Sequence, residues 1–319
     1  MKKLRLSARI QSFLKKGETP EECKKAFDEA VEAISKIDGI DGVELNYPTV
    51  FTIPVEDMKE IFEKYNLKVS AVNPRFYEDK LFKTGALAHP EKEIRDAAIK
   101  FVNDSVSASR VFDCDIVNIW INRDGHTYPF ERDYSLLWKN FVDSMQKVAD
   151  NAKDIKFGLE YKYEQSPVKT LVRDAGRTVV LIHEIDRPNV GANMDYNHSI
   201  MCQECPGEAY EMFLSRNKLF NVHLNDSWYY DDDIMVGSVT PVSLLEVFYL
   251  FRKYDYDGWI FFDTKVVSGT AEDECRENVE TVQQFWRLAN NIDLKKLEEL
   301  RAKEDVCAIK KMIRELLFK

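Results

Sequence analysis

Trp259-Ile-Phe-Phe-Asp263 is a run of four apolar residues that ends in a carboxylate. The same pattern, an apolar run closed by a metal-ligand type of residue, leads to Glu160, Asp195 and His223. A charged group at the end of a buried strand is costly unless another group compensates it. The carboxyl ends of parallel strands meet at one mouth when the strands close into an α/β barrel. The pattern therefore predicts such a barrel, with these side chains around its mouth.

The rest of the chain repeats one alternation, in which short apolar or β-branched runs are separated by amphipathic segments of helical period. Eight such units predict parallel strands with right-handed crossovers. Thr19-Pro-Glu-Glu22 supplies a capping residue, a proline and acidic residues at the start of the first helical segment. We therefore predict an α/β fold, a (β/α)8 TIM barrel with a C-terminal helical extension.

The domain organisation follows from this alternation, which no low-complexity linker interrupts. Residues 1–292 are expected to form the barrel as one catalytic domain, and residues 293–319 a helical tail. A chain of 319 residues suits one barrel of about 250 residues with insertions. With 45% hydrophobic and 31% charged residues, the chain has the composition of a folded domain and not of a disordered one.

The net charge of the chain limits the classes of partner that we expect, and its cysteines indicate the cellular compartment. A net charge of −10 disfavours nucleic acid and anionic membrane surfaces as partners. No long apolar stretch follows the basic start Met1-Lys-Lys, so we expect neither a signal peptide nor a membrane span. Cys202 and Cys205 are the one close pair among six cysteines, and incidental thiols are the default for them. A cytoplasmic location fits best.

Carboxylates and imidazoles of the second half of the chain suit a divalent cation. Oxygen and imidazole ligands favour Mn²⁺, our first choice, and also Mg²⁺, Co²⁺ or Zn²⁺ over thiolate-binding ions. A first site is expected from one residue at each of four successive strand ends, namely Glu160, Asp195, His223 and Asp263. A second site would share Asp195 and add His198, Asp231 and Asp233.

These motifs resemble those of the xylose isomerase-like superfamily of sugar isomerases and epimerases, over nearly the whole chain up to about Asp293. The similar segments are Glu160-Tyr-Lys162 (Glu-x-Lys in the family), Asp195-x-x-His198 (Glu-x-x-His), Asp231-Asp-Asp233 (Asp-x-Asp), Phe262-Asp263-x-Lys265 (Phe-Asp-x-Lys) and Ile119-Trp120-x-x-Arg123, which resembles the fourth-strand segment with a substrate-facing tryptophan. With His223 in place of an aspartate, the ligand set looks most like that of L-rhamnose isomerase.

The resemblance implies a divalent-metal-dependent carbohydrate isomerase that interconverts an aldose and a ketose. Catalysis would then fall to Glu160, Lys162, Asp233 and Asp263, with Lys162 steadying the carbonyl oxygen as charge develops and Asp233 holding a metal-bound water. The sugar would contact Lys162 together with Trp120, Phe76 and Asn46. The expected partners are a small-molecule sugar or glycoside and further copies of the chain.

Departures from the family pattern leave other functions open. Asn46 stands where xylose isomerase has a ring-opening histidine. His223 also matches the mononuclear ketose 3-epimerases, in which Glu160 and Asp263 would be the acid–base pair. A third relative is the α subunit of C-glycoside deglycosidases, which eliminates an aglycone from a 3-keto glycoside and works with a small β subunit. A sugar-binding barrel without activity is a further alternative, whereas the acidic charge disfavours the related endonucleases of abasic DNA.

Overall fold

The computed structural model describes residues 2–318, and in these residues eight parallel strands close into a barrel. Each strand pairs with its neighbours in chain order, and the last strand closes onto the first. The predicted (β/α)8 barrel is confirmed. The strands are β1 (Arg5–Arg9), β2 (Ile40–Tyr47), β3 (Lys68–Pro74), β4 (Ile116–Ile119), β5 (Lys156–Glu160), β6 (Val190–Asp195), β7 (Leu219–Leu224) and β8 (Trp259–Phe262).

Amphipathic helices surround the strands and bury their apolar faces against them. The first of these helices starts after Thr19, as the sequence predicted, and Thr19 and Glu22 form a capping box there. The helices are α1 (Pro20–Ser35), α2 (Val55–Lys64), α3 (Lys92–Val111), α4 (Tyr134–Asn151), α5 (Ala175–Ile185), α6 (Tyr196–Met201), α7 (Pro206–Leu214), α8 (Pro241–Lys253), α9 (Ala271–Asn290), α10 (Leu294–Ala302) and α11 (Val306–Leu317).

The barrel interior changes from apolar to polar along its axis. Ile116 and Trp259, the first residues of β4 and β8, pack together with Ala71 in the middle of β3. Alternate residues of a strand point to the same face, so the interior side chains of β4 continue from Ile116 to Asn118. Asn118 lies in a buried layer of amides and carboxylates. The apolar floor supports this polar layer, which in turn lies beneath the mouth.

Long loops build the wall of the mouth. The segment after β3 contains two 3-10 turns, Phe76–Glu78 and Lys80–Phe82, and a small sheet pairs Val168–Thr170 with Gly125–His126 and with Glu164–Gln165. Buried Asp124 accepts hydrogen bonds from the backbone N–H groups of Ala86 and Ala88, which ties the loop after β3 to the segment after β4. Burial raises the pKa of Asp124 to about 6.

The C-terminal tail is helical, as expected. In α10, Leu297 is buried, whereas α11 packs only partly buried side chains, such as Ile313 and Leu316, against the core. The division of the chain at residues 1–292 and 293–319 stays a prediction. No helix within residues 2–318 combines the length and the apolar content needed to cross a lipid bilayer.

Candidate active site

Three of the predicted ligands meet at the mouth of the barrel. Glu160 and Asp195 end β5 and β6, and His223 lies near the end of β7. Each residue offers one ligand atom, these atoms all lie within 4.8 Å of one another, and all three residues are buried. Asp263, just after β8, places its Oδ2 3.6 Å from Nδ1 of His223. The four residues expected to form the first metal site thus lie together.

The unpaired nitrogen of His223 tests whether this cluster fits a cation. Among the described residues, Nδ1 of His223 is buried and has no hydrogen-bond partner. It lies 3.4 Å from Oε2 of Glu160. A buried polar atom without a partner is unusual, because its desolvation is uncompensated. One lone-pair nitrogen facing several carboxylates is the donor set that Mn²⁺ or Zn²⁺ takes, so the residues fit a divalent cation.

The pKa values of the cluster residues are shifted because several charged groups are buried close together. Burial lowers the pKa of His223, but the carboxylates of Glu44 and Glu160 outweigh burial and raise this pKa to about 10. Burial also raises the pKa of Asp195. Protons therefore compensate the buried negative charge here. A bound cation would do the same, and its binding would release these protons.

Asp231 and Asp233 of the expected second metal site each have a lysine as a partner. Asp231 pairs with Nζ of Lys162 at 2.6 Å, and Asp233 pairs with Nζ of Lys265 at 2.6 Å. Nδ1 of His198 lies 4.0 Å from Oδ2 of Asp195. Burial acts to raise the pKa of Asp231, but His198 and Lys162 outweigh it and the pKa is lowered. The two lysines thus already compensate the two carboxylates of this set.

The amino-acid pattern did not single out Glu44, which lies beneath the cluster on β2. Its side chain is 1% exposed, and it accepts hydrogen bonds from Nδ2 of Asn73 at 2.8 Å and of Asn221 at 2.7 Å. Its Oε2 also lies 3.0 Å from Nε2 of His223. A carboxylate on the second nitrogen of a metal-binding imidazole orients the ring and fixes its tautomer. The sequence signal that could have identified Glu44 is its position between the apolar residues Val43 and Leu45, in the middle of a strand.

Above the cluster is an open cavity of about 300 Å³. Its lining includes Glu160, His198 and Asp263 from the cluster region and Trp120 from the end of β4. Nζ of Lys162 lies 5.2 Å from the ring centre of Trp120. The remaining lining residues are Arg9, Arg75, Tyr77, Asn122, Arg123, Lys162, Gln165, Asp231, Asp233 and Lys265. The lining is therefore mainly charged, with aromatic rings on one side.

The family model of the xylose isomerase-like TIM barrel matches residues 31–288. The chain belongs to this family. Curated relatives include a probable sugar isomerase of Rhizobium meliloti (strain 1021), 27% identical over 202 residues that are 60% of this chain and 45% of the relative. Another is the xylose isomerase of Thermus thermophilus, 24% identical over 227 residues that are 69% of this chain and 58% of the relative. The chain thus spans about half the length of these curated relatives.

Solved structures with the same fold include sugar epimerases. A D-tagatose 3-epimerase-like protein aligns with a TM-score of 0.72 and 17% identity, covering 90% of this chain and 98% of that protein. The D-allulose 3-epimerase of a Methylomonas species aligns with a TM-score of 0.73 and 15% identity, covering 89% and 99%. At this identity the alignments establish the xylose isomerase-like barrel fold alone.

Within this xylose isomerase-like barrel, two of the expected sugar contacts lie elsewhere. Phe76 is 2% exposed and packs on Phe82 and Phe101, so it belongs to the aromatic core of the loop after β3. The next residue, Tyr77, lines the cavity in its place and meets the ring of Trp120 edge-on at 5.5 Å. Asn46 is buried, accepts a hydrogen bond from Asn73 and is not part of the cavity lining in residues 2–318.

The close cysteine pair contributes nothing to the cavity lining. Both thiols are free, and Cys205 is exposed. Burial raises the pKa of the Cys202 thiol, whose Sγ lies 2.9 Å from the backbone oxygen of Arg173. A buried thiol with a raised pKa is a poor nucleophile and a poor metal ligand. That both cysteines are incidental thiols stays a prediction.

Proposed function

We propose that this protein is a sugar epimerase or isomerase that uses one divalent cation, held by Glu160, Asp195, His223 and Asp263. The observation that carries the proposal is the buried, unpaired Nδ1 of His223 among three carboxylates. The family membership and the names of the relatives support a sugar as the substrate. Mn²⁺ remains our first choice for the metal.

The paired lysines favour the reaction that needs one cation, the epimerisation of a ketose next to its carbonyl group. The bound cation would polarise adjacent sugar oxygens as a Lewis acid. Burial acts to raise the pKa of Asp263, but Arg9, His223 and Arg75 outweigh it, so this pKa is lowered and the carboxylate stays ionised. Asp263 is therefore the base that accepts the proton from the carbon next to the carbonyl.

The remaining steps fall to other side chains of the mouth. Glu160, across Nδ1 of His223 from Asp263, would return a proton to the opposite face of the same carbon. After the transfer Asp263 is protonated and Glu160 is ionised, and proton exchange of both carboxyl groups with water after product release would restore the starting state. Nζ of Lys162 would donate to the oxygen on which negative charge develops. Trp120 and Tyr77 would cover the apolar face of the sugar and exclude water.

Aldose–ketose isomerisation is the second candidate. The observation in its favour is His198, whose Nδ1 is buried without a hydrogen-bond partner among the described residues and lies 3.6 Å from Oε1 of Glu160. A second cation there would compete with Lys162 for Asp231. The C-glycoside deglycosidase alternative, the oligomeric state and the cytoplasmic location stay predictions.

Turnover in D₂O with Mn²⁺ separates the candidates. Epimerisation by Asp263 and Glu160 predicts deuterium at the epimerised carbon of a ketose, and one bound Mn²⁺ per chain by calorimetry. Asp263→Asn should abolish the incorporation of deuterium. The control Asp232→Asn, at the residue between Asp231 and Asp233, should not. Isomerisation with full retention of the carbon-bound hydrogen would favour hydride transfer and the second candidate. No turnover of any aldose or ketose by the metal-loaded protein would contradict both.

A further inference from the structure

Two arginines on one side of the cavity have no acidic partner. Arg75 follows β3 and Arg123 lies beyond β4, and both line the cavity. Across residues 2–318, neither guanidinium takes part in an ion pair or donates a side-chain hydrogen bond, and Nε of Arg75 is buried. Guanidinium groups normally bind carboxylates or phosphates through paired N–H donors. These donors are therefore available to a ligand.

The other cations of the cavity are already matched. Lys162 pairs with Asp231, Lys265 pairs with Asp233, and Nη1 of Arg9 lies 3.7 Å from Oδ1 of Asp263. The two unmatched arginines thus form a local excess of positive charge in a chain whose net charge is −10. Such an excess inside a concave site raises the local concentration of anions.

The positions of the two arginines relate them to the carboxylate cluster. Glu160, Asp195, His223 and Asp263 come from the ends of β5 to β8, whereas Arg75 and Arg123 come from the β3 and β4 side of the mouth. Trp120 lines the same cavity, with the guanidinium of Arg75 5.4 Å from its ring centre. An arginine stacked on an aromatic ring keeps its N–H edge for an anion. A ligand in this cavity could therefore contact both the cluster and the arginines.

We propose that the substrate is an anionic monosaccharide, a sugar carboxylate or a sugar phosphate, whose anionic group binds between Arg75 and Arg123. This inference rests on the proposed function, because it assumes that the reacting carbons lie at the cluster. A neutral sugar would leave both guanidinium groups without an anion in a partly enclosed site. A carboxylate or phosphate gains charge-assisted hydrogen bonds there and fixes which end of the sugar reaches Asp263.

Binding is measured first, without turnover, by calorimetry on the Mn²⁺-loaded protein. The probes are a hexuronate, a hexose 6-phosphate and the parent neutral hexose. We expect both anions, or one of them, to bind about ten- to a hundredfold more tightly than the neutral hexose, which is the range of a charge-assisted hydrogen-bonded pair. The anion that binds more tightly indicates whether the site prefers a carboxylate or a phosphate.

Arg75→Gln and Arg123→Gln should each remove most of this preference, whereas Arg314→Gln, on exposed α11, should leave it unchanged. If Arg75→Gln fails to fold because its stacking on Trp120 is lost, Arg123→Gln decides the question alone. Equal binding of neutral and anionic sugars, or an anion preference that survives in both variants, would overturn the proposal.

Turnover then separates this proposal from the proposed function. Fast turnover of neutral ketoses that Arg123→Gln does not change would leave the proposed function standing and refute the anionic substrate. Conversely, an anion preference that both glutamine variants remove, without turnover of any bound sugar, would support the anion site and refute the enzymatic reaction.

Discussion

Replacing Glu44 with glutamine tests whether this buried carboxylate orients His223. Oε2 of Glu44 accepts from Asn73 and faces Nε2 of His223, and Oε1 accepts from Asn221. A glutamine can keep its oxygen at the Oε2 position. Its new amide group would then face Asn221, whose Oδ1 has no partner within the described residues. A flip of the Asn221 amide would restore the third hydrogen bond.

The expected changes in stability and in Mn²⁺ affinity follow from the replacement of a carboxylate by a neutral amide. The hydrogen bonds to Asn73, His223 and Asn221 are kept, but each loses its charged acceptor and with it about 1 kcal/mol, a gross cost of about 3 kcal/mol. Removal of a buried charge offsets part of this cost. We therefore expect the free energy of unfolding to fall by about 1–2 kcal/mol, within the range of single substitutions that leave a fold intact. The affinity for Mn²⁺ should fall about ten- to a hundredfold, because His223 loses its charged partner.

Two measurements on one preparation check this prediction. Urea unfolding in the presence of a chelator gives the stability, and calorimetric titration with Mn²⁺ gives the affinity. Asp124→Asn is the matched control, since Asp124 is a buried carboxylate that caps backbone N–H groups away from the cluster. A Glu44→Gln protein that binds Mn²⁺ within about twofold of the wild type would refute the positioning role of Glu44.

Further predictions concern metal retention, pH and the aromatic wall. Asp195→Ala should abolish Mn²⁺ binding, whereas His198→Ala should keep it if one cation is bound, and calorimetry distinguishes the two outcomes. Because the pKa of Asp124 is raised from 3.8 to about 6 by burial, its ionisation opposes folding, so the stability of the wild type relative to Asp124→Asn should fall between pH 4 and pH 7 in urea titrations. Phe76→Leu should lower the free energy of unfolding by roughly 1–2 kcal/mol, whereas Tyr77→Leu should leave it unchanged and raise KM.

The sequence predicted what depends on local pattern. Apolar runs closed by a carboxylate or an imidazole indicated parallel strands, and β5 and β6 do end at Glu160 and Asp195. A barrel brings the carboxyl ends of its strands to one mouth whatever the loops do. For that reason the meeting of Glu160, Asp195 and His223 followed from the fold, before any distance was known. The identity and number of bound cations do not follow from the fold.

What the sequence did not predict depends on single-residue register and on contacts between distant loops. Phe76 and Tyr77 are adjacent aromatic residues, and the 3-10 turn that contains them buries the first and turns the second toward the cavity. The side chain of Glu44 points into the barrel, together with the alternate side chains of β2. Because β2 is buried on both faces, periodicity alone does not tell which set of alternate side chains points inward. The pairing of Asp233 with Lys265 likewise exists only after the loops close over the mouth.

The distribution of charge at the mouth supports our proposal of one cation over the alternative of two. Glu160, Asp195 and Asp263 face the unpaired nitrogen of His223, and in residues 2–318 no lysine pairs with any of these three carboxylates. Asp231 and Asp233, in contrast, each hold an ammonium group at 2.6 Å. A second cation would displace the buried Lys162 from Asp231 and would leave its desolvated ammonium group with the neutral Gln165, at 3.0 Å, in place of a carboxylate. In the reaction that we propose, Lys162 would instead donate to the oxygen of a ketose, beside a single cation that Glu160, Asp195, His223 and Asp263 would hold.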